Sequence, residues 1–146
     1  MQVLELDDNI LEALPDNFVE LKNLEYLNLE GNQLKNLPAK FGNMTSLKKV
    51  YLQKNQLETI PETFKNLTSI EHLDLSNNKL SGTLTELGEL VNLQHLFLQS
   101  NKLEELSESF GKLTKLQHLN LSKNKLVNLF EKIDNLTNLE YFNVHC

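Results

Sequence analysis

An asparagine recurs every 23 residues along almost the whole of this 146-residue chain, inside a frame of leucines. "LNLEGNQL" at residues 27–34, "LDLSNNKL" at 73–80 and "LNLSKNKL" at 119–126 share the frame but differ between its fixed positions. The asparagine column consists of Asn9, Asn32, Asn55, Asn78, Asn101 and Asn124. A period of this length predicts a solenoid, because one such unit cannot bury its own apolar face and needs neighbouring copies to cover it.

Two apolar columns precede the asparagine and alternate with variable positions, as in a strand with one buried face. They are Leu4, Leu27, Val50, Leu73, Leu96, Leu119 and Phe142, and then Leu6, Leu29, Leu52, Leu75, Leu98, Leu121 and Val144. We expect these strands to pair in parallel, about 4.8 Å apart. An asparagine at the strand exit can offer a donor and an acceptor to backbone groups of its own and neighbouring coils. We therefore interpret the column as a structural ladder, not as a catalytic set.

The motif L-x-x-L-x-L-x-x-N-x-L, as in "LEYLNLEGNQL" from Leu24, resembles the leucine-rich repeat family over the whole chain. The resemblance implies an α/β solenoid, a right-handed arc with a parallel β-sheet on its concave face. Short 3₁₀ or helical turns or loops are expected on the convex face, where "LPDNF", "LPAKF" and "IPETF" occur. "LSGTL" at residues 80–84 resembles the plant-type variant, in which a second short strand can form, and we expect only a local change of twist there.

Six 23-residue periods and a partial seventh strand account for residues 1–146, which we interpret as a single leucine-rich repeat domain. Neither end shows the capping unit that covers the last apolar coil of a solenoid. The sequence alone therefore predicts a fragment that lacks both caps.

The composition of the chain limits the kinds of partner that we expect. The net charge is −6 and all 14 basic residues are lysines, so we expect no nucleic-acid partner. No apolar run approaches the roughly 18 residues of a membrane span, so we expect no membrane insertion. Cys146 is the single cysteine, no signal peptide is visible and no cysteine-rich caps occur. These features favour a cytoplasmic protein, with a bacterial or secreted surface protein as the alternative.

The variable strand positions predict the functional surface. The candidates for partner binding are Tyr26, Lys49, Tyr51, His72, Asp74, His95, Phe97, His118 and Asn120. The core does not require aromatic side chains on a concave face, so their presence favours a protein or peptide ligand. The alternative is that they fill gaps in the sheet through cross-strand pairing.

His72, His95 and His118 fall in one column on three adjacent strands, with Asp74 close to the first. Three interpretations remain open: a zinc-type site with Asp74 as an oxygen ligand, a pH-sensitive contact patch, or a copied row of neutral polar side chains. A flat row does not readily give a tetrahedron, so we predict no metal. Acidic residues on the first two strands, followed by Lys49 and Lys54, would orient a partner with the opposite order of charge, or form a solvated surface.

The sequence has no glycine-rich phosphate loop, no Ser–His–acid grouping and no facing pair of carboxylates, so we expect neither enzymatic activity nor a cofactor. The leading hypothesis is a non-enzymatic protein–protein interaction module that uses its concave β-face. The alternatives are a structural segment that self-associates end to end through uncapped repeats, and a spacer within a larger receptor or effector.

Overall fold

Seven short parallel strands form one sheet in chain order in the computed structural model, which describes residues 1–146. The strands are β1 (Val3–Glu5), β2 (Tyr26–Asn28), β3 (Lys49–Tyr51), β4 (His72–Asp74), β5 (His95–Phe97), β6 (His118–Asn120) and β7 (Tyr141–Asn143). Each strand pairs with the next at an offset of one repeat, so Leu27 lies beside Val50 and Val50 beside Leu73. The predicted parallel sheet is confirmed.

The chain returns from each strand to the next through a short 3₁₀ turn. These turns are Asp16–Glu20, Phe41–Asn43, Glu62–Asn66, Thr85–Glu89, Glu108–Lys112 and Glu131–Asn135. Pro15 and Pro61 stand directly before two of them in extended backbone, a position where a proline loses no hydrogen bond. The predicted short turns are confirmed, and at three to five residues none could cross a bilayer.

The segment Leu80–Leu84 forms no second strand. Its chain direction changes through two left-handed residues, Gly82 at φ +82° and Leu84 at φ +50°. Leu84 is buried in the core and occupies the place of Pro61 one repeat earlier. Burial of its side chain offsets the backbone strain of about 1 kcal/mol that a left-handed leucine carries.

One apolar core of 35 buried residues runs the length of the solenoid between the sheet and the 3₁₀ turns. Phe41 and Phe64, from consecutive turns, stack with ring centroids 5.7 Å apart and are fully buried. Contacts between elements join only consecutive repeats. The core is therefore built pair by pair, as expected for a solenoid.

The interior asparagines connect successive coils. Asn78 donates from Nδ2 to the carbonyl oxygens of Leu52 (2.9 Å) and Leu75 (3.1 Å), and its Oδ1 accepts from the N–H of Leu57 (3.0 Å). Asn32, Asn55, Asn101 and Asn124 make the equivalent three bonds. Asn9 differs, because it is exposed and donates only within its own coil, to Leu6 and Asp7.

A left-handed residue follows nearly every strand, three positions beyond its end. The set is Asp8, Gly31, Lys54, Asn77, Ser100 and Lys123, with φ between 52° and 66°. Gly31 lacks the Cβ that this backbone disfavours, and Asp8 and Asn77 are of residue types that tolerate it. A Cβ at Gly31 would lie 2.4 Å from Oδ1 of Asp8, so this position also needs glycine for space.

Candidate functional site

The sheet register brings the predicted binding residues together in two columns on the concave face. Tyr26, Lys49, His72, His95, His118 and Tyr141 form the first, and Asn28, Tyr51, Asp74, Phe97, Asn120 and Asn143 form the second. The columns follow from the period-2 alternation of strands whose leucines face the core. All nine predicted residues therefore share one surface.

Seven rings on this surface lie in mutual contact, and we call them the aromatic strip. Its members are Tyr26, Tyr51, His72, Phe97, His95, His118 and Tyr141. The strip runs from β2 to β7, five strand spacings or about 24 Å. An extended segment of about seven residues would match that length.

The rings follow a zigzag because Lys49 interrupts the first column. Tyr51, in the second column, bridges the gap with its centroid 5.4 Å from Tyr26 and 4.8 Å from His72. Further along, His72 contacts Phe97 at 5.4 Å, and His95 stacks on His118 at 4.8 Å. Aromatic pairs of this geometry contribute about 0.5–1.5 kcal/mol each beyond burial, so the strip is a pre-ordered surface.

The central histidines are held neutral. Burial lowers the pKa of His72 to about 4, and the positive charges of a protonated His95 and of Lys49 act in the same direction. Burial, followed by the charge of His118, also lowers the pKa of His95. At neutral pH the middle of the strip is therefore an uncharged ring surface.

Two of the predicted residues accept hydrogen bonds from serines at the strand exits. Oδ1 of Asp74 accepts from the N–H of Ser76 at 2.9 Å, and Oδ1 of Asn120 accepts from both the N–H and the hydroxyl of Ser122. Burial raises the pKa of Asp74, while its bonds to Ser76 act in the opposite direction. Each side chain thus stabilises the turn that follows its own strand.

Charge is concentrated at the β1 end of the concave face. Glu5 and Asp7 are exposed, and burial, followed by the charges of these two carboxylates, raises the pKa of Tyr26. Glu30 is neutralised by Lys54, with Nζ and Oε1 2.7 Å apart. The sequence columns contain these acidic residues, but only the side-chain positions show that Glu5 and Asp7 act on a ring of the strip.

The strip provides ring surfaces for stacking, with charged groups beside it at the β1 end. No group of three or more His, Cys, Asp or Glu side chains is placed to hold a metal ion. Tyr141 lies outside the predicted set, yet its ring stacks 6.0 Å from His118. Its position in the first strand column is the sequence pattern that identifies it.

Two family profiles together match residues 1–138. The profile described as "Leucine-rich repeat region" matches residues 1–99, and "Leucine Rich repeats (2 copies)" matches residues 91–138. This chain belongs to the leucine-rich repeat family. Among curated proteins, no sequence matches this leucine-rich repeat chain.

Solved structures of leucine-rich repeat proteins superpose on nearly the whole chain. A leucine-rich repeat protein of Leptospira interrogans is 31% identical, with a TM-score of 0.76, covering 98% of this chain and 42% of its own. The plant peptide hormone receptor RGFR1, in complex with RGF2, is 28% identical with a TM-score of 0.83, covering 95% and 23%. The ectodomain of the Arabidopsis thaliana receptor kinase GASSHO1/SCHENGEN3, in complex with CASPARIAN STRIP INTEGRITY FACTOR 2, is 32% identical with a TM-score of 0.88, covering 99% and 18%. The chain spans less than half the length of each.

Proposed function

We propose that this leucine-rich repeat chain is a non-enzymatic interaction module that binds a protein or peptide segment on its concave face. The aromatic strip is the observation that supports this proposal. Seven touching rings on an exposed sheet are more than the core requires, and rings held in place lose little entropy on binding. Two of the similar structures are receptors in complexes with named ligands, which favours the same class of function.

The test removes two rings without touching the core. Peptides are selected from a displayed random library on the wild-type chain, and their Kd is then measured by calorimetry on Tyr51→Ala/Phe97→Ala. We expect at least tenfold weaker binding, about 1.4 kcal/mol, because truncated aromatic anchors commonly lose that much or more. The melting temperature should fall by no more than about 10 °C, because neither residue belongs to the buried core and only three ring contacts are lost.

Val91→Ala/Val127→Ala is the matched control. Both valines are exposed, at 41% and 78%, and lie outside the strands. This variant removes apolar surface but leaves the strip intact, so its affinity should equal that of the wild type. Wild-type affinity in Tyr51→Ala/Phe97→Ala would place the binding surface elsewhere and contradict the proposal.

A second candidate function is association of like chains through the coil of β7. Phe142 and Val144 are 38% and 41% exposed, whereas Leu96 and Leu98, their counterparts in β5 and its exit, are fully covered by the next coil. A second copy could cover that apolar edge. Light scattering should then show a mass that rises with concentration in the wild type and stays monomeric in Phe142→Glu. A constant monomer mass in both chains would exclude this candidate.

A further inference from the structure

We propose that the partner docks a basic side chain, arginine in particular, on Tyr26 and Tyr51 beside Glu5 and Asp7. About three residues away, the same extended segment docks an apolar side chain on the rings of β4 and β5. This inference rests on the proposed function, because it specifies the chemistry of the segment that the concave face binds.

The β2 end of the strip offers two phenol rings to a cation. The Tyr26 and Tyr51 centroids lie 5.4 Å apart at an interplanar angle of 45°, so the two rings form an open angle. A cation over a tyrosine face is attracted by the ring quadrupole, and arginine does this most often because its guanidinium is planar and weakly hydrated.

Two carboxylates without an ion-pair partner lie on the β1 side of Tyr26. Lys48 pairs with Glu25 and Lys54 pairs with Glu30, whereas Glu5 and Asp7 take part in no ion pair. Strand pairing places Glu5 close to Tyr26, because Val3 lies beside Tyr26 and Glu5 beside Asn28. Burial, followed by the carboxylates of Glu5 and Asp7, raises the pKa of Tyr26. The negative charge at this end is therefore available to a partner.

The two halves of the face differ in charge. Among β1–β4 and the three residues after each strand, the sequence places five carboxylates, Glu5, Asp7, Asp8, Glu30 and Asp74, against two ammonium groups, Lys49 and Lys54. The corresponding positions of β5–β7 contain one lysine, Lys123, and no carboxylate. A segment with its basic residue toward β1 would match this asymmetry, and the reverse orientation would not.

Lys49 separates the cation position from the centre of the strip. It pairs in register with Tyr26 on one side and His72 on the other, and it has no ion-pair partner. Its charge acts on both neighbours, but Glu5 and Asp7 offset it on the β1 side of Tyr26, so a basic side chain is favoured there and not over His72. The neutral rings of His72, His95 and Phe97 instead suit an aromatic or aliphatic side chain.

Strand spacing sets the separation between the two docked side chains. From β2 to β4 is two spacings, about 10 Å, measured across the strands. A peptide in the extended polyproline II conformation advances about 3.1 Å per residue and presents every third side chain on the same face, so the basic and apolar residues should be three positions apart.

The experiment uses acetylated, amidated ten-residue peptides that contain one Arg and one Phe in a Ser/Gly background, placed one to six positions apart, so that a separation of three means residues i and i+3. A matched set carries Glu in place of Arg. Fluorescence anisotropy on the 146-residue chain should show the tightest binding at a separation of three, about tenfold tighter than the Glu counterpart. Equal affinity of the two sets, tighter binding of the Glu set, or no binding of any peptide at millimolar concentration would overturn the inference.

Variants that replace carboxylates with neutral amides locate the preference for Arg over Glu peptides on the surface. Glu5→Gln/Asp7→Asn should reduce the Arg-over-Glu ratio to less than about threefold, whereas Glu104→Gln/Glu105→Gln makes the same change in net charge outside the strands and should leave it unchanged. Tyr26→Ala should weaken Arg peptides but not Glu peptides. A ratio that falls equally in both double variants would assign the preference to net charge and overturn the proposed position.

The two proposals fail in different ways. Phe-dependent binding that is lost in Tyr51→Ala/Phe97→Ala but shows no Arg preference would uphold the proposed function and overturn this inference. An Arg preference that is unaffected by Tyr51→Ala/Phe97→Ala would overturn both, because the site would then lie off the strip.

Discussion

At the scale of single residues, the asparagine ladder shows why one side chain is kept at a fixed spacing. Asn78 satisfies two carbonyls and one N–H that belong to two coils and would otherwise be buried without partners. An aspartate of the same shape could not donate, and a leucine could neither donate nor accept. Asparagine meets both needs, and for this reason the column is a feature of the fold.

The ladder predicts a difference between two identical substitutions. Asn78→Ala should lower the free energy of unfolding by at least about 2 kcal/mol, because it leaves buried backbone groups unpaired. Asn9→Ala should lower it by less than about 0.5 kcal/mol, because Asn9 is exposed and bonds only within its own coil. Urea denaturation followed by circular dichroism measures both, and equal losses would show that the inter-coil bonds are not the source of stability.

His72 predicts a contribution to the pH dependence of stability. Its pKa is about 4 in the folded chain, against about 6.5 for an unperturbed histidine. Above pH 6.5 neither state is protonated, so the histidine has no effect. As the pH falls from about 6.5 to about 4, the unfolded state binds the proton first and the folded state loses stability.

The measurement compares His72→Gln with the wild type by urea denaturation at pH 7 and pH 4.5. The variant should lose about 1 kcal/mol less than the wild type over this interval, after allowance for solvent screening of the half-exposed ring. Lys49 and His95 add positive charge that acts in the same direction, while Asp74, with its raised pKa, acts in the opposite one. His145→Gln, at an exposed histidine, is the control, and an identical pH slope in all three chains would contradict the assignment.

At the scale of the elements, some convex turns pack so closely that particular positions of one column require glycine. A Cβ built on Gly42 would lie 1.7 Å from the carbonyl oxygen of Thr63 in the next turn, and one on Gly88 would lie 2.1 Å from Oγ of Ser109. The first obstacle is backbone and cannot rotate away. The 3₁₀ turns therefore pack against each other through closely spaced backbones as well as through buried phenylalanines.

Gly42→Ala should destabilise the chain by about 1–3 kcal/mol, the usual effect of overpacking a core. Lys65→Ala changes the same column one repeat later, where the side chain is exposed and makes only a surface pair with Glu62. Its effect should stay below about 1 kcal/mol. Thermal melts of the two variants provide the comparison, and a Gly42→Ala melt equal to that of the wild type would mean that the two turns separate at little cost.

The strands and the convex turns could largely be predicted from the sequence, whereas the contacts between their side chains could not. Equal spacing of Leu27, Val50 and Leu73 predicts parallel register, since a slip of one residue would turn every leucine to solvent. The same spacing does not predict that the ring of Tyr51 contacts both Tyr26 and His72, because side-chain rotamers depend on neighbours in other coils. Nor does it predict the left-handed backbone of Lys54 and Ser100, where neither residue type favours that conformation.

At the scale of the whole molecule, the solenoid has no contact between distant repeats. Every pair of contacting elements comes from consecutive coils, and the strands contact in the order of the chain. Stability is then a sum of coil and neighbour terms, without a single centre. A rigid array of this kind holds the zigzag of rings in a fixed arrangement over about 24 Å, five strand spacings, the length of the proposed binding surface.

Nearest-neighbour coupling makes a prediction about Leu75→Ala. Leu75 is fully buried in the coil of β4, and its truncation should cost about 2–5 kcal/mol. In the wild type, amide protection measured by hydrogen exchange and mass spectrometry should rise from both ends toward β4, because only interior coils have two neighbours. In the variant, protection should fall most at β4 and its neighbours β3 and β5, and the β1–β2 and β6–β7 regions should unfold at separate urea concentrations. A uniform loss of protection along all seven strands, with one sharp transition, would instead indicate a single cooperative core and contradict the nearest-neighbour description.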